Sequence, residues 1–299
     1  MVKIKNLMKR PKALKPGDML GVCAPSARFD IEKLNLGIQV LKNLRFKVKV
    51  PEDIFNKKRY LAGDDLVRAH VINTLFLDPK IDGIICARGG YGAIRILDHL
   101  NWDIIRQNPK PFIGFSDNTA ILLTLIEKTG NWVIHGPHVV SFAQAPKRTI
   151  DTFNSTLLGG LDKIDITDCQ VLKSGKCTGV LKGGNLATMS HLLGTKFQPD
   201  FKDTVLFLED IGEPAYKIDR MLTQMKMAGL FERIRGVITG SFENCDNDEY
   251  VREILVEIFE AYNVPILSGL EAGHGKENLS ISMGTRIEMN TESEKIFRV

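Results

Sequence analysis

The sequence has no apolar run long enough to span a membrane, and its first ten residues lack the apolar stretch of a secretory signal peptide. We therefore expect a cytoplasmic protein without a membrane partner. The formal net charge of the 299 residues is only +4. The basic segment at 3–15 has no aromatic side chains among its charges. This argues against nucleic-acid binding.

Paired cysteines and nucleotide-binding motifs are also missing. The cysteines are five in number and contain no Cys-x-x-Cys pair, so we expect reduced thiols and neither a disulfide framework nor a zinc site. No Walker sequence is present, because neither Gly175-Lys176 nor Gly275-Lys276 is followed by serine or threonine. Counted from Gly90, the dinucleotide pattern places Arg95 where its third glycine belongs. Nucleotide binding is therefore unsupported.

Segments with the apolar spacing of strands and helices alternate along the first half of the chain. The predicted strands are 19–24, 46–50, 81–87 and 112–115, and the predicted helices are 31–44, 64–77, 93–100 and 119–127. Such alternation predicts an α/β fold with a flavodoxin-like, mostly parallel sheet covered by helices. Functional sites in such sheets gather at the carboxyl ends of the strands.

The pattern weakens between residues 145 and 175, where glycine, proline and scattered charges replace apolar runs. We therefore predict an N-terminal domain at 1–150, a linker at 151–175 and a second domain at 176–299. The second domain again alternates predicted strands and helices, which indicates another α/β unit.

Ser116 lies between an apolar strand and an apolar helix of the first domain. Gly114 permits a tight turn there, and Asp117 and Asn118 suit the first turn of a helix. Free N–H groups at the start of the helix can meet negative charge, as in a nucleophile elbow. The match to Gly-x-Ser-x-Gly is incomplete, because Asn118 stands in the last glycine position. A serine that merely ends a strand therefore remains an alternative.

A nucleophilic serine needs a base, usually a histidine that a carboxylate orients. His274 lies between two glycines in a loop after a predicted strand, which suits the presentation of an imidazole. Glu209 and Asp210 both follow the apolar strand 205–208, and either can be the orienting acid. Ser241 competes weakly as the nucleophile, because no helix starts directly after it.

Two further segments have a possible chemical role. Residues 88–92, Arg-Gly-Gly-Tyr-Gly, follow a strand and open a helix, so their N–H groups can bind an anion or form part of an oxyanion hole. His135 and His138 form a His-x-x-His pair. The intervening Gly-Pro forbids a helix and no third ligand is evident, so loop packing is favoured over a metal site.

Several blocks, taken together and in order along the chain, resemble the LD-carboxypeptidase family, which also contains microcin C immunity-type peptidases. The resemblance extends from about residue 13 to the C-terminus and is specific as a set. The blocks are Pro25-Ser26, Ala87-Arg88-Gly89-Gly90-Tyr91-Gly92, Gly114-Phe115-Ser116-Asp117, Leu181-Lys182-Gly183-Gly184-Asn185, Phe207-Leu208-Glu209-Asp210, the segment 212–220, and Gly273-His274-Gly275.

The resemblance implies a serine peptidase whose triad is Ser116, Glu209 and His274. It implies a nucleophile domain followed by a strand-rich α/β domain that supplies the glutamate and the histidine. No metal or organic cofactor is required, and a homodimer is expected from the same resemblance. The best-known members cut an L,D bond to remove the terminal D-alanine from cytoplasmic murein tetrapeptides during cell-wall recycling.

Acyl-transfer chemistry then predicts the remaining parts of the site. We expect the oxyanion to meet the backbone N–H groups of Asp117 and of Gly89 or Gly90. A carboxypeptidase also binds a free carboxylate, for which the cation of Arg88 is a candidate, with Tyr91 as a further substrate-binding residue.

Two alternative functions remain open. An immunity-type peptidase would cleave peptidyl or aminoacyl-nucleotide conjugates, and an aromatic-rich loop for stacking on the base would favour it. The segment 211–217 offers only Tyr216. A non-catalytic binder of peptide or sugar anions is the other alternative, although it has no use for an intact triad.

Overall fold

The computed structural model describes residues 11–160, 163–166, 168–292 and 295–299. The strands are β1 (Met19–Cys23), β2 (Lys47–Lys49), β3 (Gly83–Cys86), β4 (Phe112–Gly114), β5 (Val133–His135), β6 (Lys163–Asp165), β7 (Gln170–Lys173), β8 (Lys176–Asn185), β9 (Thr204–Ile211), β10 (Gly236–Glu243), β11 (Ile266–Ser268), β12 (Ile281–Met283), β13 (Arg286–Asn290) and β14 (Lys295–Arg298). The α-helices are α1 (Ile31–Asn43), α2 (Asp65–Leu77), α3 (Ala93–Ile96), α4 (Trp102–Gln107), α5 (Thr119–Thr129), α6 (Lys147–Leu157), α7 (Leu186–Ser190), α8 (Ala215–Met227) and α9 (Asp248–Glu260).

The first sheet has six strands in the order β12-β5-β4-β3-β1-β2. Its first five strands along the chain are parallel, and β12 joins β5 antiparallel at one edge. The parallel part has the strand order 2-1-3-4-5 of the flavodoxin-like fold. Strands β3 and β4 are buried throughout, because helices cover this sheet. The predicted fold of the first half is confirmed.

The second sheet has eight strands in the order β6-β14-β13-β8-β9-β10-β11-β7. Strands β8 to β11 are parallel, whereas β7 and the group β13, β14 and β6 are antiparallel additions on either side. The second half of the chain is therefore a strand-rich α/β unit, as predicted.

The predicted linker at 151–175 contains most of α6 together with β6 and β7. These two short strands lie at opposite edges of the second sheet, and β7 is exposed or half-buried along its length. Edge strands of this kind need no continuous apolar run, so the sequence pattern weakens where they occur. Strand β12 belongs to the C-terminal half of the chain but completes the first sheet. The division into 1–150, 151–175 and 176–299 stays a prediction.

Helix α5 follows β4 of the first sheet and contacts β8 of the second sheet. Nine of its eleven residues are buried. Its first residue, Thr119, accepts a hydrogen bond at 3.1 Å from the backbone N–H of Asn185, at the end of β8. Nearer its other end, Glu127 accepts one at 2.8 Å from Lys182 of β8. The N-terminus of α5, directly after Ser116, therefore packs against the carboxyl end of a strand in the other sheet.

Within the described ranges, no helix combines the length and the apolar character that a membrane crossing requires.

Candidate active site

Ser116 lies after β4, in a single 3₁₀ turn, Ser116–Asn118, that leads into α5. Its φ is +59°, in the left-handed region that residues other than glycine rarely adopt. Strained backbone of this kind is found where a strand-to-helix turn exposes a nucleophile. The backbone therefore has the form of a nucleophile elbow even though Asn118 replaces the second glycine of that motif.

A buried hydrogen-bond network holds this turn in place. The Asp117 carboxylate accepts one bond at 2.5 Å from the Ser26 hydroxyl and another at 2.8 Å from the Ala93 N–H. The Asn118 side-chain amide donates to the Ser26 oxygen at 2.9 Å. Burial raises the pKa of Asp117, and these donors oppose the shift. The network ties the turn to the segments that follow β1 and β3.

The structure brings the three predicted catalytic side chains together. His274 Nε2 lies 3.0 Å from Ser116 Oγ, and His274 Nδ1 lies 2.6 Å from Glu209 Oε2. With its Nδ1 proton donated to the carboxylate, the imidazole can accept the serine proton at Nε2. Glu209 is fully buried in β9, whereas the His274 side chain is 14% exposed.

Asp210, the alternative acid, faces away from His274. Its carboxylate accepts hydrogen bonds from the Asn185 side chain at 2.8 Å and from the Ala187 N–H at 2.8 Å. Successive residues of a strand point to opposite faces, so only one of the two acids can face the histidine. Asp210 instead holds the start of α7. Burial raises its pKa to about 6.

Close backbone approach positions the loop that carries His274. A Cβ on Gly273, whose φ is +111°, would lie 2.6 Å from Glu209 Oε2. The Gly273 N–H donates to Asn278 Oδ1 at 3.0 Å, and the Gly275 N–H donates to Ser241 Oγ at 2.8 Å. The hydroxyl of Ser241, the competing nucleophile candidate, thus supports the histidine loop.

His274, His135 and His138 differ in their electrostatics. Burial lowers the pKa of His274, but the hydrogen bond and charge of Glu209 outweigh it, so the net pKa is raised. Burial lowers the pKa of His135 to about 4 and that of His138 to about 3. Both are therefore neutral at pH 7. His138 Nε2 lies 2.9 Å from Asn118 Oδ1, so this ring helps to hold the serine turn.

The predicted oxyanion and substrate-binding residues lie around the serine at different distances. Gly89 is immediately beside it, since a Cβ there would lie 3.1 Å from Ser116 Oγ. Gly90 follows with φ +102°. Arg88 is exposed and donates to the Arg28 carbonyl at 2.8 Å. The Tyr91 ring, also exposed, lies 5.8 Å from the ring of Tyr60. Among the described residues, neither Arg88 nor Tyr91 hydrogen-bonds to a catalytic candidate.

Sequence reasoning missed the supporting roles of Ser26, His138 and Ser241. Each contacts a residue distant in the chain, so no local spacing indicates the contact. Ser26 was part of a block that carried the resemblance, and this was the available signal.

The fold and the site together define a class of protein. A strained serine, a histidine and a buried glutamate in hydrogen-bond contact, where two α/β sheets meet, have the arrangement of a hydrolase of the serine type.

Comparison with known proteins identifies the family. The LD-carboxypeptidase N-terminal domain matches residues 20–136, and the LD-carboxypeptidase C-terminal domain matches residues 178–289. A Bacillus subtilis protein named a probable murein peptide carboxypeptidase is 32% identical over 96% of this chain and 93% of its own. The chain belongs to the LD-carboxypeptidase family and is a serine-type LD-carboxypeptidase.

Solved structures share the fold over nearly the whole chain. An MccF-like protein of Bacillus anthracis is 26% identical and superposes with a TM-score of 0.90, covering 97% of this chain and 99% of its own. A muramoyltetrapeptide carboxypeptidase of Oxalobacter formigenes, also 26% identical, has a TM-score of 0.82 over 93% of this chain and 97% of its own.

Proposed function

We propose that this LD-carboxypeptidase removes the terminal D-alanine from murein tetrapeptide in the cytoplasm, during peptidoglycan recycling. The observation that carries the chemistry is the continuous contact from Ser116 through His274 to Glu209. Relatives named for murein peptides and muramoyltetrapeptide support the substrate class. We also propose that the protein forms a homodimer, as the resemblance implies.

In the proposed mechanism Ser116 is the nucleophile. His274 accepts its proton as the hydroxyl attacks the carbonyl carbon of the L,D bond, and then donates that proton to the departing amine of D-alanine. Glu209 orients the imidazole and stabilises its cation. Water then attacks the carbonyl carbon of the acyl-enzyme while His274 accepts its proton. His274 returns a proton to Ser116, and the tripeptide is released.

Backbone N–H groups stabilise the negative charge that develops on the carbonyl oxygen. We propose those of Asp117 and of Gly89 or Gly90 for this role. The 3₁₀ turn that leads into α5 supplies the first, and the close approach of Gly89 to Ser116 supports the second. Loss of one such donor typically costs about 3 kcal/mol of transition-state stabilisation.

A second candidate substrate class is a peptidyl or aminoacyl-nucleotide conjugate. The likeness to an MccF-like structure over almost the whole chain favours keeping it. It uses the same three catalytic residues and differs in the leaving group. A nucleotide leaving group gains from stacking on aromatic rings. Beside the catalytic residues, the ring of Phe115 stacks on the ring of His138, with 4.2 Å between the centroids, and its centroid lies 4.9 Å from that of His274.

The test is mass spectrometry of L-Ala-γ-D-Glu-diaminopimelate-D-Ala after incubation with purified enzyme. We expect wild type to release one D-alanine. Ser116→Ala and Glu209→Gln should each lower the rate by about 10³-fold or more, because members of a triad act as a unit.

Asp210→Asn is the matched control, since this neighbouring buried acid does not face His274. It should keep kcat within about tenfold of wild type. Folded wild-type enzyme that leaves the tetrapeptide intact but hydrolyses an aminoacyl-nucleotide conjugate would replace the first substrate class with the second. Equal activity of wild type and Ser116→Ala would eliminate Ser116 as the nucleophile.

A further inference from the structure

A small cleft of about 190 Å³ opens beside His274. Its walls include Phe115, Ser141, His274, Lys276 and Asn278. None of the candidate oxyanion residues lines it. The cleft therefore lies on the histidine side of the serine, away from Gly89 and Gly90.

The position of the histidine indicates which part of a substrate occupies this cleft. In the proposed mechanism the imidazole delivers its proton to the departing amine, so the leaving group must lie next to the histidine. The oxyanion points in another direction, toward its backbone donors. The cleft beside His274 is therefore the place for the leaving amino acid, and this step rests on the proposed function.

The charge of the cleft suits a carboxylate. Lys276 is the one lysine or arginine among the described residues that line it, and no aspartate or glutamate lines it. Among the described residues Lys276 forms no ion pair. Of the acids nearest to it in sequence, Glu271 pairs with Arg148, and Glu277 accepts a hydrogen bond at 2.6 Å from the neutral Thr149 hydroxyl.

A second, independent observation points to a ligand. Asn278 is only 7% exposed, and its Nδ2 has no hydrogen-bond partner among the described residues. Its Oδ1 accepts the Gly273 N–H, which fixes the amide with Nδ2 as a donor. A buried donor without a partner is costly, and because Asn278 lines the cleft, an anion there would satisfy this donor once the amide turns toward it.

We propose that Lys276, assisted by Asn278, forms the subsite that binds the α-carboxylate of the departing D-amino acid. This subsite differs from the role predicted for Arg88, which lies on the oxyanion side of Ser116. A cation at this point favours a substrate that ends one residue beyond the scissile bond. Lys276 is thus a specificity-determining residue for carboxypeptidase action.

The size of the cleft agrees with a single small residue. At roughly 30 Å³ per water molecule in the liquid, its volume corresponds to about six waters. Pockets that enclose drug-sized ligands are larger, from about 300 Å³ upward. The cleft matches alanine in size and is smaller than the pockets that enclose larger ligands.

The test compares two substrates that differ only in the terminal charge: the murein tetrapeptide ending in D-alanine and the same peptide ending in D-alaninamide. Wild type should prefer the free acid. Lys276→Met should lower kcat/KM for the acid by about tenfold and leave the amide nearly unchanged, because only the acid loses a charge-assisted contact. Lys276→Arg should restore much of the preference.

Lys33→Met, an exposed lysine of α1, is the matched control and should keep the preference of wild type. An unchanged acid-to-amide ratio in Lys276→Met overturns the inference, as does a ratio lost in Arg88→Met but kept in Lys276→Met. In both cases the proposed function stands, because D-alanine is still released. If wild type cleaves neither peptide, the proposed function fails and the inference fails with it.

Discussion

The serine turn, residues 115–118, and the histidine loop, residues 269–278, are held in place in different ways. The serine turn is fixed by buried polar side chains, among them Asp117, Asn118 and Ser26. The histidine loop is fixed mainly by its own backbone N–H groups, which donate to Asn278 and Ser241.

The two kinds of support have different consequences. Buried and fully bonded side chains make a rigid network, and each lost partner costs stability. A glycine-rich loop costs little to deform, but it must approach Glu209 closely for the histidine to reach both partners. We therefore expect changes in the histidine loop to affect catalysis most and changes in the serine turn to affect stability most.

Gly273→Ala should give the largest effect. Its Cβ would meet Glu209 Oε2 at 2.6 Å, and alanine is strained at a φ of +111°. Both effects displace His274 from its partners. A misplacement of about 1 Å can cost roughly 100-fold in rate, so we expect a loss of that order in kcat.

Gly269→Ala is the matched control in the same loop. Its φ is +89°, but a Cβ there would meet nothing within 4 Å. It should therefore cause backbone strain alone, lowering the melting temperature while kcat stays within about threefold. Equal losses of kcat in the two variants would mean that backbone strain in the loop, and not contact with Glu209, causes the loss of activity.

Ser26→Ala and Ser241→Ala compare the two supports directly, with a smaller expected effect. Loss of the Ser26 hydroxyl leaves buried Asp117 and Asn118 short of a partner, which should cost about 1–3 kcal/mol of unfolding free energy. Loss of the Ser241 hydroxyl removes one acceptor for Gly275 in a half-buried loop, where water can replace it. It should cost less stability but lower kcat several-fold.

Urea unfolding and steady-state kinetics on the tetrapeptide measure both quantities in each variant. The comparison between the two regions is wrong if Ser241→Ala destabilises the protein as much as Ser26→Ala does.

Most of the fold could be predicted from the sequence, because buried parallel strands and amphipathic helices leave strong periodic patterns. Three of the edge strands, β6, β7 and β12, could not, since they are short and their partners are distant in sequence. Their pairing depends on which sheet has a free edge nearby, and no local sequence pattern indicates which sheet this is.

The candidate site divides in a similar way. Ser116 has a local signal in its strand-to-helix context, and His274 has a weaker one in its flanking glycines. The choice between Glu209 and Asp210 depends on which face of β9 meets the histidine, so the residues alone left it open and the resemblance favoured Glu209. Lys276 had no signal at all, because its place beside the cleft follows from the path of the loop.

The pH dependence of catalysis should show the smallest but most specific effect. His274 must be neutral to accept the serine proton, so kcat/KM should fall as the pH drops through its pKa. Burial alone would lower that pKa, but contact with Glu209 raises it above the ordinary 6.5. The acidic limb of the profile should therefore lie above 6.5. His135 and His138, with pKa values of about 4 and about 3, cannot produce it.

Two variants determine which group controls this limb. Asp210 titrates in a neighbouring range, with a pKa of about 6, and its charge adds to the upward shift of the His274 pKa, so Asp210→Asn should move the limb to lower pH by less than Glu209→Gln does. In the residual activity of Glu209→Gln the limb should move to lower pH, because the upward influence of the carboxylate is lost and the effect of burial remains. A limb that moves more in Asp210→Asn than in Glu209→Gln would mean that Asp210, on the opposite face of β9, controls proton transfer.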